Sequence, residues 1–284
     1  MKAIKSLQLF FTMVFVAVLS LSLGQPVYAW TIIDDPTGGD CNAIGRWNAN
    51  KKTCTLKTDV SEGIVIDSDN ITLLCNKHSI TNVAMNYWFG IYVTGRNGVT
   101  INRCIVSKCE YGIWISASDG TTLNKNTVRG GGAGIFIFSS TNSNLNANAV
   151  DNNERIGGIV IDSSTNSYLN GNTANNNGFS GIGIFSSTNS FLDGNTANNN
   201  ESYGIGFFSS TYCFLDGNTA NNNLDGIVIG ASTNTSLNDN TADNNLNYGY
   251  HVGEIDNTFS FSDNECSDNG MGGSSPTGLC SPQP

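Results

Sequence analysis

Beyond residue 60 the chain alternates apolar and polar residues over four or five positions, then breaks into Ser, Thr, Asn and Gly. The unit "GIGIFSSTNSFLDGNTANNN", Gly181 to Asn200, holds two such stretches divided by polar corners. Short alternation argues strand, and the Gly, Asn and Ser clusters argue turns. Aligned on Gly-Ile, the units begin at Gly63, Gly90, Gly112, Gly134, Gly158, Gly181, Gly204 and Gly226, with Gly249-Tyr250 closing the series. The steps are 27, 22, 22, 24, 23, 23, 22 and 23 residues. A period of this size marks a solenoid. With strands alone in each period, the expected fold is an all-β, single-stranded, right-handed parallel β-helix of about eight coils. Left-handed β-helices step in hexapeptides, which this spacing does not follow.

The columns support that expectation. Ile135, Ile159, Ile182, Ile205 and Ile227 point inward, as do Leu145, Leu169, Leu192, Leu215 and Leu237. One coil cannot bury its apolar face, whereas stacked coils make a continuous core. An Asn column follows the Leu column: Asn126, Asn148, Asn172, Asn195, Asn218, Asn240 and Asn264. At the strand spacing of about 4.8 Å, its amides are expected to hydrogen-bond in a ladder along the axis. That explains why "FLDGNTANNN" is written twice, at Phe191 and Phe214.

The ends read differently. Residues 1–29 carry Lys2 and Lys5, an apolar run and Val27-Tyr28-Ala29, the pattern of a cleaved export signal. No second apolar run of spanning length follows, so no membrane span is expected after its removal. Residues 30–60 are expected to cap one end, 61–269 to form the coils, and the Gly/Ser/Pro-rich residues 270–284 to cover or trail from the other. Eight cysteines suit an oxidising compartment, at the cell surface, in the periplasm or outside the cell. Cys41 with Cys54, and Cys266 with Cys280, stand close enough in sequence to staple the two ends. Cys75, Cys104, Cys109 and Cys213 have no pairing that the sequence assigns. Charge is uneven: the last basic residue is Arg155, and twelve Asp and Glu follow it. That composition argues against a nucleic-acid partner and against anionic polysaccharides unless divalent cations, calcium above all, bridge them.

The G-I-x-I…S-S-x-N-x-x-L-x-x-N units and "ITLLCNKHSI" at Ile71 to Ile80 resemble the right-handed β-helix repeat proteins. The likeness includes the NosD-like and carbohydrate-binding/sugar-hydrolase (CASH) group of this pectate-lyase-like fold. It implies an exported, polysaccharide-binding or structural surface protein, with a polysaccharide-modifying enzyme or NosD-like copper handling as alternatives. The catalytic signatures of such enzymes are missing. Polygalacturonase-like members carry N-T-D, D-D, G-H-G and R-I-K; here "NTA" replaces the first, Asp34-Asp35 precedes the repeats, and the others are absent. The D-P-H-D of mannuronan epimerase-like members and the basic residue beside an Asp cluster of the lyases are absent as well.

Three candidate sites remain. Asp193 and Asp216 share a column in adjacent coils, a spacing that resembles retaining glycosidases and is also a candidate for a weak calcium site. They also belong to the copied D-G-N turn. Cys75-x-x-His78 followed by Cys104 is a candidate Cu(I) or Zn set. Aromatic residues form outward rows: Tyr92, Trp114 and Phe136; Tyr168, Phe191 and Phe214; and Phe185 with Phe208 beside Gly183 and Gly206. Exposed aromatic rows mark binding surfaces, and their faces suit the apolar C–H faces of sugars. Of these, Tyr92/Trp114/Phe136 is the expected groove. A cap, a tail or a second subunit covering the rows is the competing expectation, and the sequence leaves oligomeric state open.

Overall fold

In a computed structural model the described residues are 30–81, 88–253 and 258–281; the export signal expected over residues 1–29 lies outside them. Each coil feeds three parallel faces, one more than the alternation suggests. The first face has eleven strands, from Thr31–Ile33 through the Gly-Ile strands to Gly272–Ser275. The second also has eleven, ending at Ser260–Ser262, and its first strand, Gly45–Asn48, runs antiparallel to Thr53–Leu56. The third has four short strands: Ser79–Thr81, Ile105–Ser107, Thr127–Arg129 and Ala149–Asp151. After these it continues as single bridges, Ala149 to Thr173 and onward through Thr196, Thr219, Thr241 and Glu265 to Ser281.

Register places the expected columns in line. Ile135 pairs with Ile159, and Ile182 with Ile205; Leu145 pairs with Leu169, and Leu192 with Leu215. All are buried. The third face explains the glycine of Gly-Ile. A Cβ on Gly112 would lie 2.1 Å from Val128 Cγ1, and one on Gly204 2.7 Å from the Ala220 Cβ. The third face therefore closes against the start of the first face's strand, and only glycine leaves room for it.

Each of the three corners carries a polar ladder. At the second-to-third corner, the Nδ2 of Asn172 donates to the Oδ1 of Asn195 at 2.9 Å, and Asn195 to Asn218 at 2.9 Å. Asn195 Nδ2 also donates to the Leu169 carbonyl, and its backbone N–H to Asn218 Oδ1. A second ladder runs through Asn153, Asn177, Asn200, Asn223, Asn245 and Asn269 at the third-to-first corner, with amide steps of 3.0–3.3 Å. At the remaining corner Ser140, Ser164, Ser187 and Ser210 each donate the backbone N–H to the next serine's Oγ at 3.1–3.2 Å. Buried corners would otherwise strand backbone donors, at about 1–3 kcal/mol each.

Disulfides Cys41–Cys54 and Cys266–Cys280 staple the two ends, matching the pairs expected from spacing. The end segments continue the solenoid. Thr31–Ile33 pairs with Ile64–Ile66, and Gly272–Ser275 pairs with Tyr248–Val252. Among the described residues no helix is long and apolar enough to cross a membrane.

Candidate functional site

The row expected to form the groove is covered. Tyr92, Trp114 and Phe136 are in register on the outer side of the first face. Trp114 is only 7% exposed and Phe136 only 5%. The residues just before the glycine cause this. Tyr111 lies edge-on against Trp114 at 4.9 Å and Phe136 at 6.1 Å, and Phe89 packs on Trp114 at 5.4 Å. Burial, and secondarily the Glu110 charge, raise the Tyr111 phenol pKa. These side chains form a small outer core with little face left for a ligand.

Phe185 and Phe208 stack at 5.3 Å and lie flat over Gly183 and Gly206, where a Cβ would meet their rings at 2.7 and 2.8 Å. They are half-buried. Asp162 occupies the same column, between Phe138 and Phe185. It is buried, and burial raises its carboxyl pKa although the Ser163 hydroxyl donates to it at 2.9 Å. The sequence reading passed over Asp162; its signal was one carboxylate in an otherwise aromatic or small column.

The second face carries the open row. Tyr168, Phe191 and Phe214 are in register and stack at 5.0 and 4.8 Å, with 5° between neighbouring planes. Tyr168 is 45% exposed and Phe214 38%. Two residues on, pointing the same way, runs the row Asn170, Asp193, Asp216 and Asn238. The Asn170 amide donates to Asp193 at 3.2 Å, and the Asn238 amide to Asp216 at 2.7 Å. The two carboxylates are thus each held from outside by an amide and remain exposed. Tyr212, also exposed, stands at the corner just before Phe214 and was not among the sequence candidates. It replaces the Asn of the "TNS" phrase. The result is a stack of parallel, overlapping rings that turns ring edges outward, with hydrogen-bonding groups along one side; such a strip offers apolar contact to a sugar's C–H groups and accepts from its hydroxyls.

The Cys75/His78/Cys104 set is taken apart. Cys75 and Cys104 are joined by a disulfide, so neither sulfur is a thiolate ligand. His78 Nδ1 lies 3.4 Å from Asp59, whose carboxyl is held below its usual range, chiefly by the Ser79 N–H. Among the described residues no three His, Cys, Asp or Glu side chains gather as metal ligands. Cys109 is buried, its Sγ donating to the Ser107 carbonyl. Cys213 takes the inward position of Ser190 and Thr235 in neighbouring coils, and burial pushes its thiol up to about 12.

The pattern described as "right handed beta helix region" matches residues 42–182 and 155–281. It describes the β-helix as such and does not single out a NosD-like subgroup. No curated relative matches by sequence. Among solved structures, the Azotobacter vinelandii mannuronan C-5 epimerase AlgE6 A-module is 16% identical, with a TM-score of 0.61, over 78% of this chain and 76% of that one. The periplasmic alginate epimerase AlgG is 16% identical, with a TM-score of 0.55, over 78% and 68%. The Dettilon tailspike protein is 14% identical, with a TM-score of 0.56, over 86% and 60%. At these identities the likeness is one of fold. Matched across nearly all of its coils, the chain belongs to the right-handed β-helix family.

Proposed function

We propose that this protein is exported and binds a neutral polysaccharide along the Tyr168–Phe191–Phe214 strip. One observation carries the reading: three parallel rings, Tyr168 and Phe214 exposed and Phe191 half-buried, stack every 4.8–5.0 Å beside an Asn–Asp–Asp–Asn edge. That step is close to the length of one sugar unit, so a glycan lies along the solenoid axis. Its apolar C–H groups rest against the outward edges of the stacked rings, and its hydroxyls donate to Asp193 and Asp216. The two carboxylates, with no Lys or Arg beyond Arg155, disfavour a polyanion such as alginate. The β-helix neighbours that act on alginate support a glycan partner in general; the charge of this strip sets the class apart. Three disulfides suit the periplasm, the cell surface or the medium.

Catalysis is the second reading, favoured by two carboxylates one coil apart beside the strip. Each accepts from an amide on its far side, which suits hydrogen-bond acceptors better than an acid–nucleophile pair.

The test is the mature chain on a broad glycan array, with and without calcium. Selective, calcium-independent binding to neutral glycans is the expected result. Binding only to anionic glycans and only with calcium would replace the neutral class by a cation-bridged one. A blank array in both conditions would remove the strip as a glycan site. Release of new reducing ends from the bound glycan would move the reading to an enzyme.

A further inference from the structure

The third face is electrically polarised along the solenoid. The residue turning the second-to-third corner stands in one column, coil after coil, in the left-handed conformation. The column begins Lys77, Arg103, Lys125, passes through Ala147 and three glycines, and ends Asp239, Asp263. The rest of the face repeats the order. Lys108 and Arg129 lie at the first end, Asn residues in the middle, and Asp243, Glu265 and Asp268 at the last. All five cations are exposed, and among the described residues none forms an ion pair. Of the acids only Asp243 is half-buried, and no basic residue follows Arg155 to partner them. At the basic end Asp151, beside Arg129, is half-buried and accepts from the Asn175 N–H, and exposed Asp59, just before the Val60 that bridges to Ile80, accepts from the Ser79 N–H beside His78.

We propose that this face docks a second copy of the chain, with the two solenoids antiparallel. Identical subunits pair most simply about a two-fold axis. An axis lying along the strand direction keeps every column over itself while reversing its order. From Lys77 to Gly171 is four coil steps, through Arg103, Lys125 and Ala147. From Gly171 to Asp263 is again four, through Gly194, Gly217 and Asp239. An axis at the Gly171 coil therefore sets Lys77 against Asp263 of the second copy and Arg103 against its Asp239. Lys108 then faces the coil of Asp243. The neutral Gly and Asn middle lets the two backbones approach. A parallel pairing would set like charge on like. The column borders the Asn170–Asp193–Asp216–Asn238 edge on the side away from the rings, and the proposal is tested without glycan, so its failure and that of the glycan reading are separable.

Contacts of this kind steer and orient, and they weaken as salt screens them. Sedimentation velocity of the mature chain should show a dimer at roughly 20 mM salt and a monomer at roughly 500 mM. The pair Lys77→Glu/Arg103→Glu and the pair Asp239→Lys/Asp263→Lys should each be monomeric at low salt. Mixed in equal amounts the two should dimerise, because every opposed pair of positions 77/263 and 103/239 then again carries unlike charge. Circular dichroism would establish that both variants keep the fold, as expected for exposed charges. Gly171→Cys should cross-link to itself across the axis. A Cβ there meets nothing within 4 Å, and Ala147 adopts nearly the same φ, 52° against 58°. A wild type that stays monomeric at low salt, or a mixture that fails to dimerise, would overturn the proposal. So would a dimer that Gly171→Cys does not cross-link. Monomeric wild type retained on heparin through Arg103 and Lys125 would reassign the basic end to a polyanion.

Discussion

Trp114 and Phe136 stack at 4.6 Å with 8° between planes; Phe191 and Phe214 stack at 4.8 Å with 5°. Both pairs arise in the same way, from one outward aromatic per coil on a parallel sheet, yet the first is closed and the second open. The difference lies in the flanking columns. Beside the first pair stand Phe89 and Tyr111, which fold over it. Beside the second stand Asp193 and Asp216, which cannot. Stacking geometry is therefore supplied by the repeat, and ligand access by the neighbouring column. The same element is packed over on the first face and left open on the second.

The largest effect that would test this contrast is on stability. Trp114→Ala should cost about 3 kcal/mol, the low end of aromatic truncations in a packed core, read as a lower urea midpoint. Glycan affinity should stay unchanged. A Trp114→Ala protein with full stability and lost binding would reverse the roles of the two rows. Phe191→Ala should do the opposite, weakening glycan binding about tenfold, or ~1.4 kcal/mol, with the unfolding midpoint hardly moved. Isothermal titration calorimetry checks the first part and urea denaturation the second. A smaller change is expected from Asp193→Asn with Asp216→Asn: a few-fold loss on neutral glycans and a gain on anionic ones. An unchanged profile on both would show that the edge carboxylates take no part in selection.

The smallest effect tests the intermediate case, Asp162 among the phenylalanines. Its folded pKa is raised by burial, so the folded state binds the proton more tightly than the unfolded chain. Its contribution to stability is then greatest at low pH and declines as pH rises through the folded value. Asp162→Asn should raise the melting temperature at pH 7, and the gain should disappear near pH 3, below the ordinary carboxyl range. A variant less stable than wild type at pH 7 would show that the ionised carboxylate is stabilised in place.

Much of the fold was legible because the repeat fixes it. Ile and Leu columns, the Asn126–Asn264 ladder and both terminal disulfides follow from spacing alone. The second Asn ladder was hidden in plain letters. In "NNN" at Asn175 to Asn177, only Asn177 turns inward, and nothing local distinguishes it from its neighbours. The third face was missed because its early coils use Val128 and Val150 and its later coils Ala174 and Ala197, a change of size that blurs the column. Neither row's exposure was legible. The first row's depends on side chains at its strands' leading edge, where Phe89 and Tyr111 stand, and the second row's on the short polar column two residues on, Asp193 and Asp216. The disulfide between Cys75 and Cys104 was equally out of reach, because it joins adjacent coils whose separation in sequence is 29.

The ladders give the solenoid a consequence for its own length. Every coil between Asn172 and Asn240 hands its amide to an identical amide in the next. Inserting or deleting one complete unit leaves no donor orphaned, and units of 22, 23 and 24 residues alike keep the ladder, whereas a unit without its corner residue leaves its neighbour's donor unpaired. The identical decapeptides at Phe191 and Phe214 show such a unit twice, 23 residues apart. The molecule is in this sense a ruler with fixed graduations. One more unit adds one more ring to the open strip and, on the proposed glycan reading, about one more sugar to its span.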